Sequence, residues 1–269
     1  MDNRLLVARQ SAAAGGLLDL VPGAAAAYSL RKLSSTYTDP VVTVRRSSDN
    51  AEDSFTASEV SDGTLAAFCG VGDGFVKQWW NQSGNANHAS ASGTSQPKIV
   101  SSGAVILEEG KPAIQFDGSD DFFSFAPVSS LDPWTIAEVK RRPTAGTNGP
   151  TVGTASPSQP IYPHWQYSDN LVYARNRQGE YSYGPVSNEQ IISVVANPTS
   201  LKSDMSVFRN GVAPPRVSIA AAASDADFVY IGRVANLHCA GLYQEIIFYP
   251  SDQTANRELI EGNIAWSYS

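Results

Sequence analysis

The chain is poor in the residues that metal centres and nucleophilic triads are built from. Its 269 residues include two cysteines, Cys69 and Cys239, and three histidines, His88, His164 and His238. No CxxC occurs and the histidines lie in unrelated contexts, so a zinc site of the finger or ribbon kind is not expected, and no metal or cofactor is expected. No GxSxG nucleophile elbow appears. The string Gly70-Val71-Gly72-Asp73-Gly74 lacks the Lys-Ser/Thr that a phosphate loop requires and reads as a tight turn. The two cysteines leave two readings open, a pair of buried thiols or one long-range disulfide. Charged residues are scarce at 17%, and the formal charge of -7 argues against nucleic acid as a partner, because phosphate binding needs clustered Lys and Arg. Arg45-Arg46 and Arg141-Arg142 read as solvated strand ends. The apolar run from Ala12 to Ala27 is broken by Asp19 and Pro22, too short and Gly-rich to insert in a membrane, and the first residues lack a signal-peptide pattern, so assembly in a cytoplasm is expected.

What is present is strand. Apolar residues reach 42% and aromatic residues 10%, enough for a large core. From Ala24 onward, short apolar or alternating runs are bounded by Gly, Pro, Asn, Asp and Ser. They include Val41–Val44, Phe75–Trp80, Ala113–Phe116, Phe122–Phe125, Trp134–Val139, Ile191–Val195, Met205–Phe208, Phe228–Ile231 and Gln244–Tyr249. With no alternation of strands and helices, the runs predict packed antiparallel sheets. Helices are expected at Thr64–Phe68, behind Asp62, and at Asp252–Ala265, where Leu259, Ile260 and Ile264 keep helical spacing. Residues 1–23, rich in small side chains, read as an arm that docks onto partner subunits; residues 24–269 read as one domain.

Three stretches carry more than composition. Ile114-Gln115-Phe116-Asp117-Gly118-Ser119-Asp120-Asp121-Phe122-Phe123 reads as strand, Asp-Gly turn, strand. Phe208-Arg209-Asn210-Gly211-Val212 carries the Asn-Gly of a two-residue hairpin. The third runs through Ile231-Gly232-Arg233 to Gly241-Leu242-Tyr243-Gln244-Glu245. In this order they resemble the laminin-G-like members of the concanavalin A-like superfamily. That resemblance implies an all-β jelly-roll sandwich of two antiparallel sheets, with the N-terminal arm and a C-terminal helix added. Upstream, Tyr28-Ser29-Leu30, Phe68-Cys69-Gly70 and Trp79-Trp80-Asn81-Gln82-Ser83-Gly84-Asn85-Ala86-Asn87-His88 resemble the sandwich of α-L-arabinofuranosidase B and its relatives in bacteriophage tail-fibre and virion proteins. Asn81 departs from the family pattern, which has Asp there.

The resemblance leads to an expectation of a non-enzymatic virion protein, a homo-oligomeric capsid decoration or fibre module that reaches other virion proteins through its arm and host-surface glycans through its sandwich. The alternative is a glycoside hydrolase of the arabinofuranosidase type, or a free lectin. For the hydrolase, Glu138 and Glu245 on central strands would be the carboxyl pair, against a reading of Glu138 as a surface acid and Glu245 as a loop anchor; no residue is assigned as catalytic. Tyr162, Trp165, Tyr167, Tyr173, Tyr181 and Tyr183, interleaved with Gln166, Arg175 and Asn176, are the glycan-binding candidates, with a subunit contact or plain core as the competing readings. Asp117, Asp120 and Asp121 offer oxygen ligands to calcium and equally suit a hairpin turn.

Overall fold

A computed structural model describes residues 15–129, 133–141, 149–154, 161–166, 171–176, 179–185, 190–197, 206–213, 216–219 and 227–268. Every strand pairing recorded among them is antiparallel. In one sheet of fifteen strands, eleven run in the order 152–154, 227–231, 123–129, 89–90, 74–79, 98–101, 114–117, 240–249, 134–141, 190–197, 206–209, with 26–29, 42–46, 52–55 and 104–105 pairing off this path, and a five-stranded sheet holds 149–150, 161–166, 171–176, 179–185 and 216–219. The architecture is an all-β sandwich closed by a C-terminal helix, Arg257–Tyr268.

All nine expected strand runs are strands, and the helix expected behind Asp62 forms at Thr64–Cys69, where the Asp62 carboxylate accepts the Thr64 N–H. The central strands Trp134–Arg141 and Ala240–Tyr249 separate two cores. On one face Trp134, Ile136, Ile246 and Phe248 join Tyr28, Trp79, Phe116, Phe123 and Phe228 in the main core. On the other, Ala137, Val139, Ile247 and Tyr249 pack with Ile260, Ile264 and Tyr268 of the C-terminal helix. Each large side chain buried this way stabilises the fold by roughly 1.5–3 kcal/mol.

Residues 1–14 of the segment read as an arm lie outside the described residues. Its remainder turns back on the domain: Leu17 and Val21 are buried in the helix-side core, and the Tyr249 hydroxyl donates to the Val21 carbonyl.

The motif around Asn81 ties the Ala26–Ser29 strand to the domain. Asn81 Oδ1 accepts the Ala27 and Ser83 N–H groups, while its Nδ2 donates to the Asn85 carbonyl. The last bond needs an amide, which a carboxylate could not supply. Gln82 Oε1 accepts the Leu33 N–H, and its Nε2 donates to the Ser29 and Arg31 carbonyls, so one side chain bonds three backbone groups where the strand ends. Asn210 and Gly211 both take positive φ, 47° and 80°, as a type I′ turn requires. Cys69 and Cys239 are buried, with no disulfide between them.

Candidate functional site

The FDG segment does not form a hairpin. Strand Ile114–Asp117 pairs with 98–101 and 240–249, whereas Phe123–Ser129 pairs with 227–231 and 89–90, so the turn is a corner that passes the chain from one part of the sheet to another. Gly118 supplies the left-handed step at φ 80°. Asp117 Oδ1 accepts the N–H groups of Ser119, Asp120 and Asp121 at 2.7, 3.3 and 3.5 Å. Asp121 Oδ2 returns the bond by accepting the Asp117 N–H at 2.8 Å. These reciprocal bonds bring oxygens of Asp117, Asp120 and Asp121 within 4.8 Å of one another, with Asp117 exposed and Asp121 buried.

The corner opens on a groove of about 1230 Å³ whose walls include Asp117, Asp121, Phe75, Glu52, Lys77 and Gln96. Its cations are occupied. Lys77 bonds Glu52 at 2.6 Å, Lys98 bonds Asp73 at 2.7 Å, and Arg45 donates to Gln96 and Asn50 while lying 4.9 Å over the Phe75 ring. Asp121 stands apart because burial pushes its carboxyl up to about 7, with the negative charge of Asp117 and Asp120 adding to the effect. A carboxyl that keeps its proton near neutrality, beside a second carboxylate within 4.8 Å, combines an acid and a base in one concave site. The same oxygens are a donor set for a hard cation, but three backbone N–H groups already converge on Asp117 Oδ1 and leave it fewer lone pairs to offer.

The pair Glu138 and Glu245 is ruled out by register. Glu138 stands opposite Ile246, in the main core, and Glu245 opposite Val139, in the helix-side core, so the two acids leave opposite faces of one sheet. Glu138 is buried rather than solvent-facing. Glu245 is a structural anchor: its oxygens accept from Arg31 Nε at 2.7 Å and Arg31 Nη2 at 2.9 Å, the Ser29 hydroxyl at 2.9 Å and the Tyr268 hydroxyl at 3.3 Å.

Of the aromatic candidates, Tyr162 and Trp165 lie on strand Ile161–Gln166, Tyr173 on Leu171–Asn176, and Tyr181 and Tyr183 on Gly179–Pro185, three neighbouring strands of the five-stranded sheet. Trp165 is in register with Tyr173 and Tyr162 with Arg175. Tyr167 lies outside the described residues.

No family model and no curated protein matches the chain. Solved structures do. An arabinofuranosidase complexed with arabinofuranosyl-α-1,2-xylobiose superimposes over 90% of this chain and 62% of its own, at a TM-score of 0.60 and 15% identity. A GH54 α-L-arabinofuranosidase soaked with a cyclic sulfate inhibitor covers 90% of this chain and 63% of its own, at a TM-score of 0.62 and 14% identity. The fold is that of the arabinofuranosidase sandwich. The Trypanosoma rangeli sialidase in complex with DANA is similar over 70% of this chain and 30% of its own, at a TM-score of 0.51 and 12% identity. This chain thus spans less than two thirds of the length of each. These matches overturn the expectation of a non-enzymatic virion protein, since these arabinofuranosidase structures share its sandwich, and they favour the hydrolase alternative.

Proposed function

We propose that the chain is a glycoside hydrolase of the arabinofuranosidase type, with Asp121 as general acid and Asp117 as its partner carboxylate. The observation that carries this reading is the groove-lining pair itself, one carboxyl holding its proton to about pH 7 and the other within 4.8 Å. Asp121 donates its proton to the departing glycosidic oxygen while an Asp117 oxygen bonds the anomeric carbon; a water deprotonated by the ionised Asp121 then displaces Asp117 from that carbon, releasing the sugar and restoring both carboxyls. Retaining glycosidases hold their carboxyls about 5–5.5 Å apart, while inverting enzymes need about 6.5–9.5 Å to seat a water between them. The short separation therefore goes with retention of anomeric configuration. The shared fold with arabinofuranosidase structures supports the choice of a furanoside.

Release of arabinose from a methyl α-L-arabinofuranoside, whose alkoxide leaving group must be protonated, tests the proposal. Loss of a general acid costs about 10²–10⁴-fold in turnover, so Asp121→Asn falls by that factor. Turnover absent from the wild type on arabinofuranosides, or undiminished in Asp121→Asn, overturns it.

A further inference from the structure

On the other side of the aspartate corner lies a cluster that the proposed chemistry does not use. The hairpin formed by Arg233–Val234 and Leu237–His238 brings Arg233 over two rings, its guanidinium carbon 4.4 Å from the centre of Phe122 and 5.2 Å from that of Tyr230. Phe122 meets Tyr230 edge-on at 5.8 Å and lies 5.9 Å from the His238 ring. All four side chains are half-buried. Phe122 directly follows Asp121 in the chain, and His238 stands close enough to Asp117 and Asp120 to feel their charge.

The backbone holds this hairpin against the corner. Gly232 adopts φ 83°, and a Cβ there would meet the Phe116 ring at 2.7 Å. Gly153 approaches so closely that a Cβ would overlap the Arg233 carbonyl, 1.8 Å away. Arg233 therefore enters from a fixed point, and its Nε is committed to the Ala235 carbonyl at 2.7 Å. Its two terminal nitrogens make no hydrogen bond or ion pair among the described residues, although ring stacking keeps the guanidinium in place. Neither Asp117 nor Asp120, whose charges reach the neighbouring His238, forms an ion pair with it. Burial and the Arg233 charge hold His238 below its ordinary value, so the positive charge of the cluster is that of Arg233.

A guanidinium with its face on rings and its fork unpaired is arranged for bidentate capture of a carboxylate, while the flanking rings offer apolar faces to the C–H side of a sugar. We propose that Phe122, Tyr230 and Arg233 form a subsite for a carboxylate-bearing sugar, a uronic acid residue, across the aspartate corner from the groove. The inference rests on the hydrolase reading and narrows its substrate to an acidic glycan.

The test is binding, which needs no turnover. Calorimetry compares a glucuronic-acid-bearing oligosaccharide with the same oligosaccharide after carboxyl reduction, on the wild type and on Arg233→Gln and Phe122→Leu, each checked for a cooperative melt. The wild type prefers the acidic form by about tenfold, as one charge-assisted bidentate contact supplies. Arg233→Gln loses that preference, and Phe122→Leu weakens both ligands together. Equal affinity of the wild type for both forms, or a preference that survives in Arg233→Gln, overturns the subsite. Hydrolysis of neutral arabinofuranosides without acid preference would sink this inference alone; acid preference without hydrolysis would sink only the reading of Asp121 and Asp117.

Discussion

Replacing Asp121 by Asn should make the protein more stable at alkaline pH. In the native state this carboxyl holds its proton to about pH 7, whereas in the unfolded chain it ionises near pH 4. Below about pH 4 both states carry the proton and the difference vanishes. As pH rises toward 7 the unfolded chain gives up a proton that the folded one keeps, so stability falls, at most by about 1.4 kcal/mol per pH unit. The full window gives an upper bound of about 4 kcal/mol, and solvent reaching the corner through exposed Asp117 screens the effect to about 2 kcal/mol. The amide of Asp121→Asn has no such proton to keep, and its side-chain oxygen can still accept the Asp117 N–H. The variant and the wild type should melt together at pH 4, and the variant should melt about 4–8 °C higher at pH 8. Circular-dichroism melts at half-unit steps measure this. Parallel pH profiles for the two proteins would refute the claim that Asp121 is protonated when folded.

Turnover follows the same proton, so kcat/KM on an arabinofuranoside should fall as pH rises through about 7, which a pH–rate profile reads directly. Glu245→Gln leaves the half-buried Arg31 charge without its counter-ion and should cost about 2–3 kcal/mol in urea denaturation, with activity per folded molecule unchanged because Glu245 faces the helix-side core. Gly232→Ala combines a positive φ with a Cβ 2.7 Å from the Phe116 ring and should cost about 2–4 kcal/mol by the same method. Gln82→Ala strands three backbone groups and should cost about 2–3 kcal/mol, read as a lowered denaturation midpoint at unchanged slope.

The strands were legible because each is a short run with turn residues at both ends, and the strand register needs that alternation to bury one face. Helix Thr64–Cys69 was legible from Asp62, whose carboxylate accepts the Thr64 N–H one residue ahead of the Gly63 cap. Helix Leu17–Leu20 was not, since four residues show no period. Of the candidate site, the acidic residues were visible but their arrangement was not. Asp-Gly between two strands suggests a hairpin, and only the sheet order shows that the flanking strands pair elsewhere and that Asp117 and Asp121 lock each other across the corner. Glu138 and Glu245 looked like a pair because each lies on a central strand. Whether they share a face depends on how two distant strands align, which local sequence does not encode. Arg233 stood out only as the end of an IGR motif; its unpaired fork depends on Phe122 and Tyr230, which meet it through the fold.

Glycosidase chemistry in the groove stands or falls with Asp121 and Asp117. Proton NMR of the first sugar product released from an α-L-arabinofuranoside tests it most directly, run on the wild type and on Asp121→Asn. An α-configured product is expected from the wild type, and about 10²–10⁴-fold less of it from the variant. A β-configured first product, equal rates from both proteins, or no product from the wild type would contradict it.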